Sequence, residues 1–519
     1  MGRHVQRHDL PSKVDGTAIF ALDVRVPNML YATVKRAPTF GGGVYNIDDT
    51  LTLAIKGVVD VVRLPSAEVS AMVGGFSSVE SVAVVAEGYW QAKKGMDALN
   101  IQWRATENDA VSSDSIFAQF DRDISAAVDR QPDVSQGDLA ASMANAAQVI
   151  DADYRVPFLA HACMEPLNAT AVVKDGFCEI WIGCQSPLSF RQAVADSLGF
   201  EVENVTLNNC FMGGGFGRKS LPDFAIQAAQ LAAKVGRPVQ LIWSREEDVQ
   251  QDFYRPAVQS RFRGALDEAG NLTAWENTYV GKMEPAEAPL IPYIVAAKEI
   301  GHVASPTHLP LGPWRSVDHS QHGFFTESFI DEVAVAAGQD AYEYRAARLK
   351  HLPRQLAVLR KAATEAQWAV PLAPGRGRGI ALQESFGSIV AEVVEVTVTD
   401  GNLSVDRVVA VIDAGYAISP DGIKAQIESG IIYGLSAALY GEITIKDGAV
   451  VQSNFHDYGS VRMSKAPTIE THIINSGEVM GGAGEPGTPP IAPALANAIF
   501  NATGNRIRQL PIKNSALKV

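Results

Sequence analysis

The sequence predicts an α+β fold, and three observations carry that expectation. Three Asp-Gly pairs, Asp175-Gly176, Asp400-Gly401 and Asp447-Gly448, each lie between β-branched or aromatic runs. Asp-Gly supplies the positive φ angles that tight hairpin turns require. Between these hairpins lie helical-period segments ending in glycine, so the chain lacks the strict alternation of a parallel βαβ array. Finally, 519 residues at 47% hydrophobic and 20% charged can bury a large core and suggest roughly two to four domains.

The elements follow in order. Ala18 to Val34 is strand-like and broken at Pro27-Asn28, and similar runs cover Gly57 to Val62 and Val79 to Ala86. Ile116, Phe117, Phe120, Ile124 and Val128 recur at helical spacing, predicting one amphipathic helix over about 114–130. Gln131 to Asn145 is polar and alanine-rich and reads as a connector. Helices are expected at 189–198, 222–235, 326–337 and 353–368, the second and third closed by Gly236 and Gly338. No tandem repeat of fixed period is present.

Composition excludes several classes. With 44 Lys+Arg against 58 Asp+Glu the net charge is −14, which argues against a nucleic-acid-binding stripe. The longest nearly apolar stretch, Gly430 to Leu439, is far shorter than the ~18 residues of a membrane span, and no signal peptide is read. Cys163, Cys178, Cys184 and Cys210 form no C-x-x-C and read as buried small hydrophobes.

Four segments stand out. Gly213-Gly214-Gly215-Phe216-Gly217-Arg218-Lys219 suits a backbone that approaches a large ligand closely, or a tight structural turn. It is neither a Walker loop nor G-x-G-x-x-G. Gly484-Glu485-Pro486-Gly487 precedes the helix-like run Ala492 to Phe500, where Glu485 is either a general base in a rigid loop or a solvated turn carboxylate. In Cys184-Gln185-Ser186-Pro187 the Gln185 amide can donate to an oxo or pterin group, and in Pro313-Trp314-Arg315-Ser316 the guanidinium of Arg315 can orient an anionic or carbonyl substrate. A backbone-satisfied Gln and a surface ion pair are the commoner fates of such residues. Trp314, Phe324 and Phe325 either stack on a flat substrate or belong to the core, and the Phe pair is assigned to the core.

Together, in this order, these segments resemble the molybdenum-cofactor subunit of the xanthine dehydrogenase and aldehyde oxidase family. Within it they are similar to the branch of isoquinoline 1-oxidoreductase large subunits and membrane-associated aldehyde dehydrogenases. Further similar stretches are Lys13 to Ala18, Met164 to Thr170 and Glu327 to Glu332. The resemblance implies an α/β-hammerhead domain over 10–105, a helical connector over 106–144, and a large molybdenum-cofactor-binding region over 145–519 with a possible subdomain break near 350–375.

It also implies roles. Gln185 would hydrogen-bond an oxo ligand of the metal, Gly213, Gly214, Gly215, Phe216, Gly217 and Arg218 would form the loop beside it, and Gln426 and Gly484 would contact the pterin. Glu485 would be the general base, with Arg315 orienting the substrate and no protein side chain binding the metal directly. The implied cofactor is molybdenum on molybdopterin cytosine dinucleotide, and the implied activity is oxidation of an aldehyde or hydroxylation of an N-heteroaromatic carbon with water. Ser220 replaces the Glu of purine-oxidising members, and no Cys-Ser-Phe-Arg loop is present, which disfavours xanthine and carbon monoxide. The Gly-Gln-Gly and Gly-Gly-Ser-rich loops of the branch are absent, so the portion carrying them is expected to be a separate partner chain or to have been cleaved away, beside a small [2Fe–2S] subunit and a cytochrome c. The branch commonly reaches the periplasm. The competing readings are a non-catalytic assembly subunit that binds no metal and a phosphate-binding enzyme using Gly213 to Lys219.

Overall fold

The three Asp-Gly pairs make the hairpins expected of them. Asp175, Asp400 and Asp447 have φ of 50°, 51° and 50°, and each following glycine is also left-handed. They join strands 168–174 to 177–182, 388–399 to 402–413, and 445–446 to 449–450. The computed structural model describes residues 2–71, 74–281, 285–512 and 517.

Three sheets organise the described chain. A seven-stranded sheet runs 205–209, 177–182, 168–174, 239–242, 30–36, 81–86, 58–64 in spatial order. Its centre is a parallel pairing, Leu30 to Ala32 against Val239 to Leu241, that joins the N-terminal strands to the later ones. The sheet therefore crosses the expected boundary near residue 105. A five-stranded sheet (131–136, 297–303, 272–280, 258–266, 148–156) and a four-stranded sheet (376–385, 388–399, 402–413, 468–474) complete the frame.

Four helices position the site. Helix α1, Asp223–Val235, ends at Gly236 in the left-handed region and packs its buried alanine-rich face on the seven-stranded sheet. Helix α2, His319–Ala336, runs through the core with all but its last two residues buried. Helix α3, Pro420–Leu439, starts under the N-cap of Ser419 and keeps Gln426, Glu428 and Ser429 exposed. Helix α4, Ile491–Thr503, lies on the four-stranded sheet, where Ile491, Leu495 and Ile499 are fully buried, contributing about 1.5–3 kcal/mol each. Gly377 and Gly379 permit this: a Cβ on either would lie 2.1 or 2.2 Å from the α4 backbone at Ala498.

Several expectations need correction. The helix expected over 114–130 spans Ser113–Ala126, because Ala127 and Asp129 take positive φ and leave Val128 exposed. The expected connector over 131–145 contains strand Gln131–Gln136, at the edge of the five-stranded sheet, and helix Leu139–Ala144. The helix expected from 326 begins seven residues earlier, and Ala18 to Val34 holds a short 3-10 turn before strand Leu30–Arg36. Phe324 and Phe325 are fully buried against Tyr154, as assigned.

Candidate active site

The glycine loop is built from beneath. Glu165 receives the Gly213 N–H and the Lys219 ammonium on one carboxylate oxygen, both at 2.8 Å, and returns its own N–H to the Gly213 carbonyl. Burial pushes the Glu165 carboxyl up, but Lys219 and the Gly213 N–H overcome this and hold it below the ordinary value. Arg218, expected to face a cofactor, instead points inward at 1% exposure, bidentate on Asp223 and 3.0 Å from Asp252. Its guanidinium anchors the loop, and only its backbone remains with the ligand side. Ser220 is likewise turned inward, its hydroxyl donating to the Gly217 carbonyl at 2.6 Å.

Above these anchors the backbone is strongly bent, with φ of 100° at Gly214, 52° at Phe216 and 109° at Gly217. A Cβ on Gly217 would lie 1.5 Å from the Pro313 carbonyl. Gln185 accepts the Gly217 N–H at 3.0 Å while remaining exposed, which leaves its amide NH2 for a ligand. Thus the loop, Gln185 and the 313–316 segment meet at one point. His161 reinforces the junction, one ring nitrogen 2.9 Å from the Pro313 carbonyl and the other on the Asp252 carboxylate.

The 313–316 segment carries the second half. Arg315 donates to the Gly484 carbonyl, to Ser429 Oγ at 2.9 Å, and to the backbone and side-chain oxygens of Gln426 at 3.1 and 3.0 Å. All its polar contacts are therefore internal, so it locks α3 to the Glu485 loop and is not available to orient a substrate as expected. Ser316 donates its N–H to Glu485 Oε1 at 3.0 Å and its hydroxyl to the Glu485 carbonyl at 2.8 Å. Ser316 and Val317 both have positive φ, 75° and 40°. For a β-branched residue this is strain, costing on the order of 1–3 kcal/mol, of the kind found at functional sites.

An aromatic column completes one wall. Phe216 stacks on Tyr433 at 4.4 Å, Tyr433 on Trp314 at 4.6 Å, and the Arg255 guanidinium lies 5.4 Å from the Trp314 ring. The Trp314 ring is thereby engaged within the protein. The column borders a cleft of about 760 Å³, lined also by His161, Ser429 and Phe455. A smaller cavity of about 360 Å³ opens beside Gln426 and Gly484. Tyr433 escaped the motif search, although it lies seven positions after Gln426 on the same helical face. Asp252 and His161 escaped it because their partners are remote in sequence.

Among the described residues no cluster of three or more His, Cys, Asp or Glu is placed to hold a metal ion. Cys163 Sγ sits 3.4 Å from the Gly215 carbonyl, and burial pushes its thiol up to about 12, so it stays protonated. The groups offered are backbone N–H donors, a side-chain amide and a carboxylate acceptor. Profiles of the molybdopterin cofactor-binding domain match residues 121–349 and 334–467.

The chain belongs to the molybdopterin cofactor-binding family. It is 29% identical to the isoquinoline 1-oxidoreductase subunit beta of Brevundimonas diminuta, over 99% of this chain and 68% of that one. It is 31% identical to the membrane-bound aldehyde dehydrogenase (pyrroloquinoline-quinone) of Gluconacetobacter polyoxogenes, over 97% of this chain and 70% of that one. Quinoline 2-oxidoreductase from Pseudomonas putida 86 superimposes with a TM-score of 0.84 at 15% identity, covering 99% of this chain and 97% of that one. The α+β fold is thus that of the molybdopterin-binding large subunits. No helix among the described residues is long and apolar enough to cross a membrane.

The residues fit such a cofactor, which brings its own sulfur ligands to the metal. Gly484 has open space where a Cβ would stand and lines, with Gln426, the cavity of about 360 Å³, and Gln185 offers its amide.

Proposed function

We propose that the chain is the cofactor-binding subunit of a molybdenum hydroxylase that oxidises an aldehyde to its acid or hydroxylates an N-heteroaromatic carbon, with water as oxygen source. The observation that carries this reading is the Glu485 carboxylate, held at one oxygen by Ser316 N–H on a loop whose preceding residue, Gly484, faces open space. Oε2 is left to accept a proton. The bound cofactor supplies activation of water and the two-electron oxidation. For an aldehyde the balance is aldehyde plus water to acid, two electrons and two protons.

The protein's residues do the rest. Arg315 fixes Gly484 and Gln426 against each other, which sets the distance between base and cofactor. Gln185 donates its amide hydrogen toward the metal's ligands, and the glycine loop presents its backbone without side chains in the way. The Phe216, Tyr433 and Trp314 column excludes water from one side.

Finer assignments belong to the same proposal. The cofactor is the cytosine dinucleotide form, a small [2Fe–2S] subunit takes the electrons, and a further chain supplies the Gly-Gln-Gly portion, in a complex that includes a cytochrome c on the periplasmic side of a membrane. The domain limits 10–105, 106–144 and 145–519 are part of it as divisions of the sequence, with the seven-stranded sheet shared by the first and the third.

Elemental analysis of the natively purified complex tests this, with Glu485→Gln beside the wild type. One molybdenum per chain in both proteins, with turnover of an aromatic aldehyde or isoquinoline only in the wild type, is expected. Absence of molybdenum, or pyrroloquinoline quinone in its place, overturns the reading and favours an assembly or quinone-linked role.

A further inference from the structure

The larger cleft, about 760 Å³, shares no lining residue with the cavity beside Gln426 and Gly484, so it is a site of its own. One wall is helix α3, where Ala425, Glu428, Ser429, Ile432, Tyr433 and Ser436 recur three and four positions apart and therefore share a face. The rest of the lining comes from within the segments 160–164, 455–461 and 466–469, and from Phe216 and Trp314. The volume lies within the range of roughly 300–1,000 Å³ that small-molecule sites occupy.

Most polar groups of the lining are committed inside the protein. The Tyr433 hydroxyl donates to the His161 carbonyl at 3.1 Å and the Tyr458 hydroxyl to the Ala160 carbonyl at 2.9 Å. Ser436 donates to the Ile432 carbonyl and accepts the Val461 N–H, Ser429 accepts from Arg315, and both His161 ring nitrogens are engaged. What these walls offer a ligand is therefore chiefly apolar and aromatic surface. Glu428 is the exception: its side chain lines the cleft, the residue is exposed, and among the described residues nothing hydrogen-bonds to or ion-pairs with its carboxylate. Lys424 stands one turn earlier, in the weaker of the two orders for a helical ion pair, and forms none. Arg245, 4.9 Å from the Phe455 ring, is paired with Asp248 and leaves the Glu428 charge uncompensated.

We propose that this cleft binds an organic cation, a flat apolar body carrying a protonated amine, with the body against the α3 stripe and the aromatic rings and the ammonium on Glu428. Each part of the ligand answers one part of the site. The apolar walls take the body, the ammonium supplies the partner that Glu428 lacks, and aromatic ring faces attract a cation further. An anion of the same shape would meet the carboxylate with no donor to offset it, and a neutral one would gain only the apolar contact. The net charge of −14 also favours the approach of cations. No bond is made or broken there, so the site stands apart from the chemistry at Glu485.

Three indoles that differ mainly in the charge of the tail test this by isothermal titration calorimetry on the natively purified complex: tryptamine, cationic; tryptophol, neutral; and indole-3-acetate, anionic. Wild type should bind tryptamine saturably at one site per chain, tryptophol about tenfold more weakly, and indole-3-acetate more weakly still. Glu428→Gln should lower the tryptamine affinity to that of tryptophol and leave tryptophol unchanged. Ala425→Trp, which places an indole ring on the exposed side of the cleft, should weaken both. Both positions are exposed on α3, so the two variants should melt with the wild type. No saturable binding of tryptamine, a preference for tryptamine that survives Glu428→Gln, or binding indifferent to Ala425→Trp overturns the site. The titration reads binding and not turnover, so its outcome is independent of the function proposed above.

Discussion

The two halves of the site are held by opposite means. The glycine loop 213–219 is clamped from below by buried charge, Glu165 with Lys219 and Arg218 with Asp223 and Asp252. The Glu485 loop is held by donors to its backbone, from Arg315 and Ser316, and by one N–H to the carboxylate. The difference teaches where each loop's task lies. A loop that must keep only its shape can spend charge on anchoring, whereas one that must move a proton keeps its carboxylate lightly held.

The largest expected effect breaks the clamped side. Gly217→Ala places a Cβ 1.5 Å from the Pro313 carbonyl at a φ of 109°. Thermal unfolding should show a loss of about 4–5 kcal/mol or failure to fold. Next, Lys219→Met leaves Glu165 unpaired in a buried site, and about 3–5 kcal/mol should be lost in denaturant titration. Glu485→Gln inverts the pattern: turnover should fall by roughly 10²–10⁴, while the melting temperature stays put, because only one N–H contact to that carboxylate changes character.

Acid sharpens the contrast. The folded Glu165 pKa is depressed, so its stabilising contribution is full above the ordinary value of 4.5 and is lost as pH falls below it. Hydrogen exchange at the Gly213 amide should accelerate as pH falls below that value. The smallest effect is expected at Gly484→Ala, where a Cβ meets nothing within 4 Å. Stability should stay within about 0.5 kcal/mol, and any change should appear in cofactor loading, measured as molybdenum per chain.

Local chemistry was legible in the sequence, and remote pairing was not. The Asp-Gly hairpins and the Gly236 helix end follow from φ preferences of a few adjacent residues, which the fold has no reason to override. The first turn of α2 was hidden because His319, Ser320, Gln321 and His322 are polar yet buried, so neither period nor composition marks them. Strand Gln131–Gln136 was hidden by its polar, proline-containing edge-strand composition. At the site, Gln185 meets the glycine loop at Gly217, and the 313–316 segment lies between that loop and Glu485. Arg218, read from the glycine loop, and Arg315, read from the run Pro313 to Ser316, both looked ligand-facing because the partners that turn them inward, Asp252 for one and Gln426 and Gly484 for the other, come from elsewhere in the chain.

The parallel pairing of Leu30 to Ala32 with Val239 to Leu241 also has a consequence for biosynthesis. The two strands lie about 200 residues apart, so a ribosome adding roughly 5–20 residues per second needs tens of seconds to deliver the second after the first. Throughout that interval the apolar edge of strand 30–36 is without its neighbour. The nascent chain thus offers a long-lived sticky edge to any holding chaperone, and the Gly213 to Lys219 loop, translated before strand 239–242, cannot take its final shape until Pro313 has emerged.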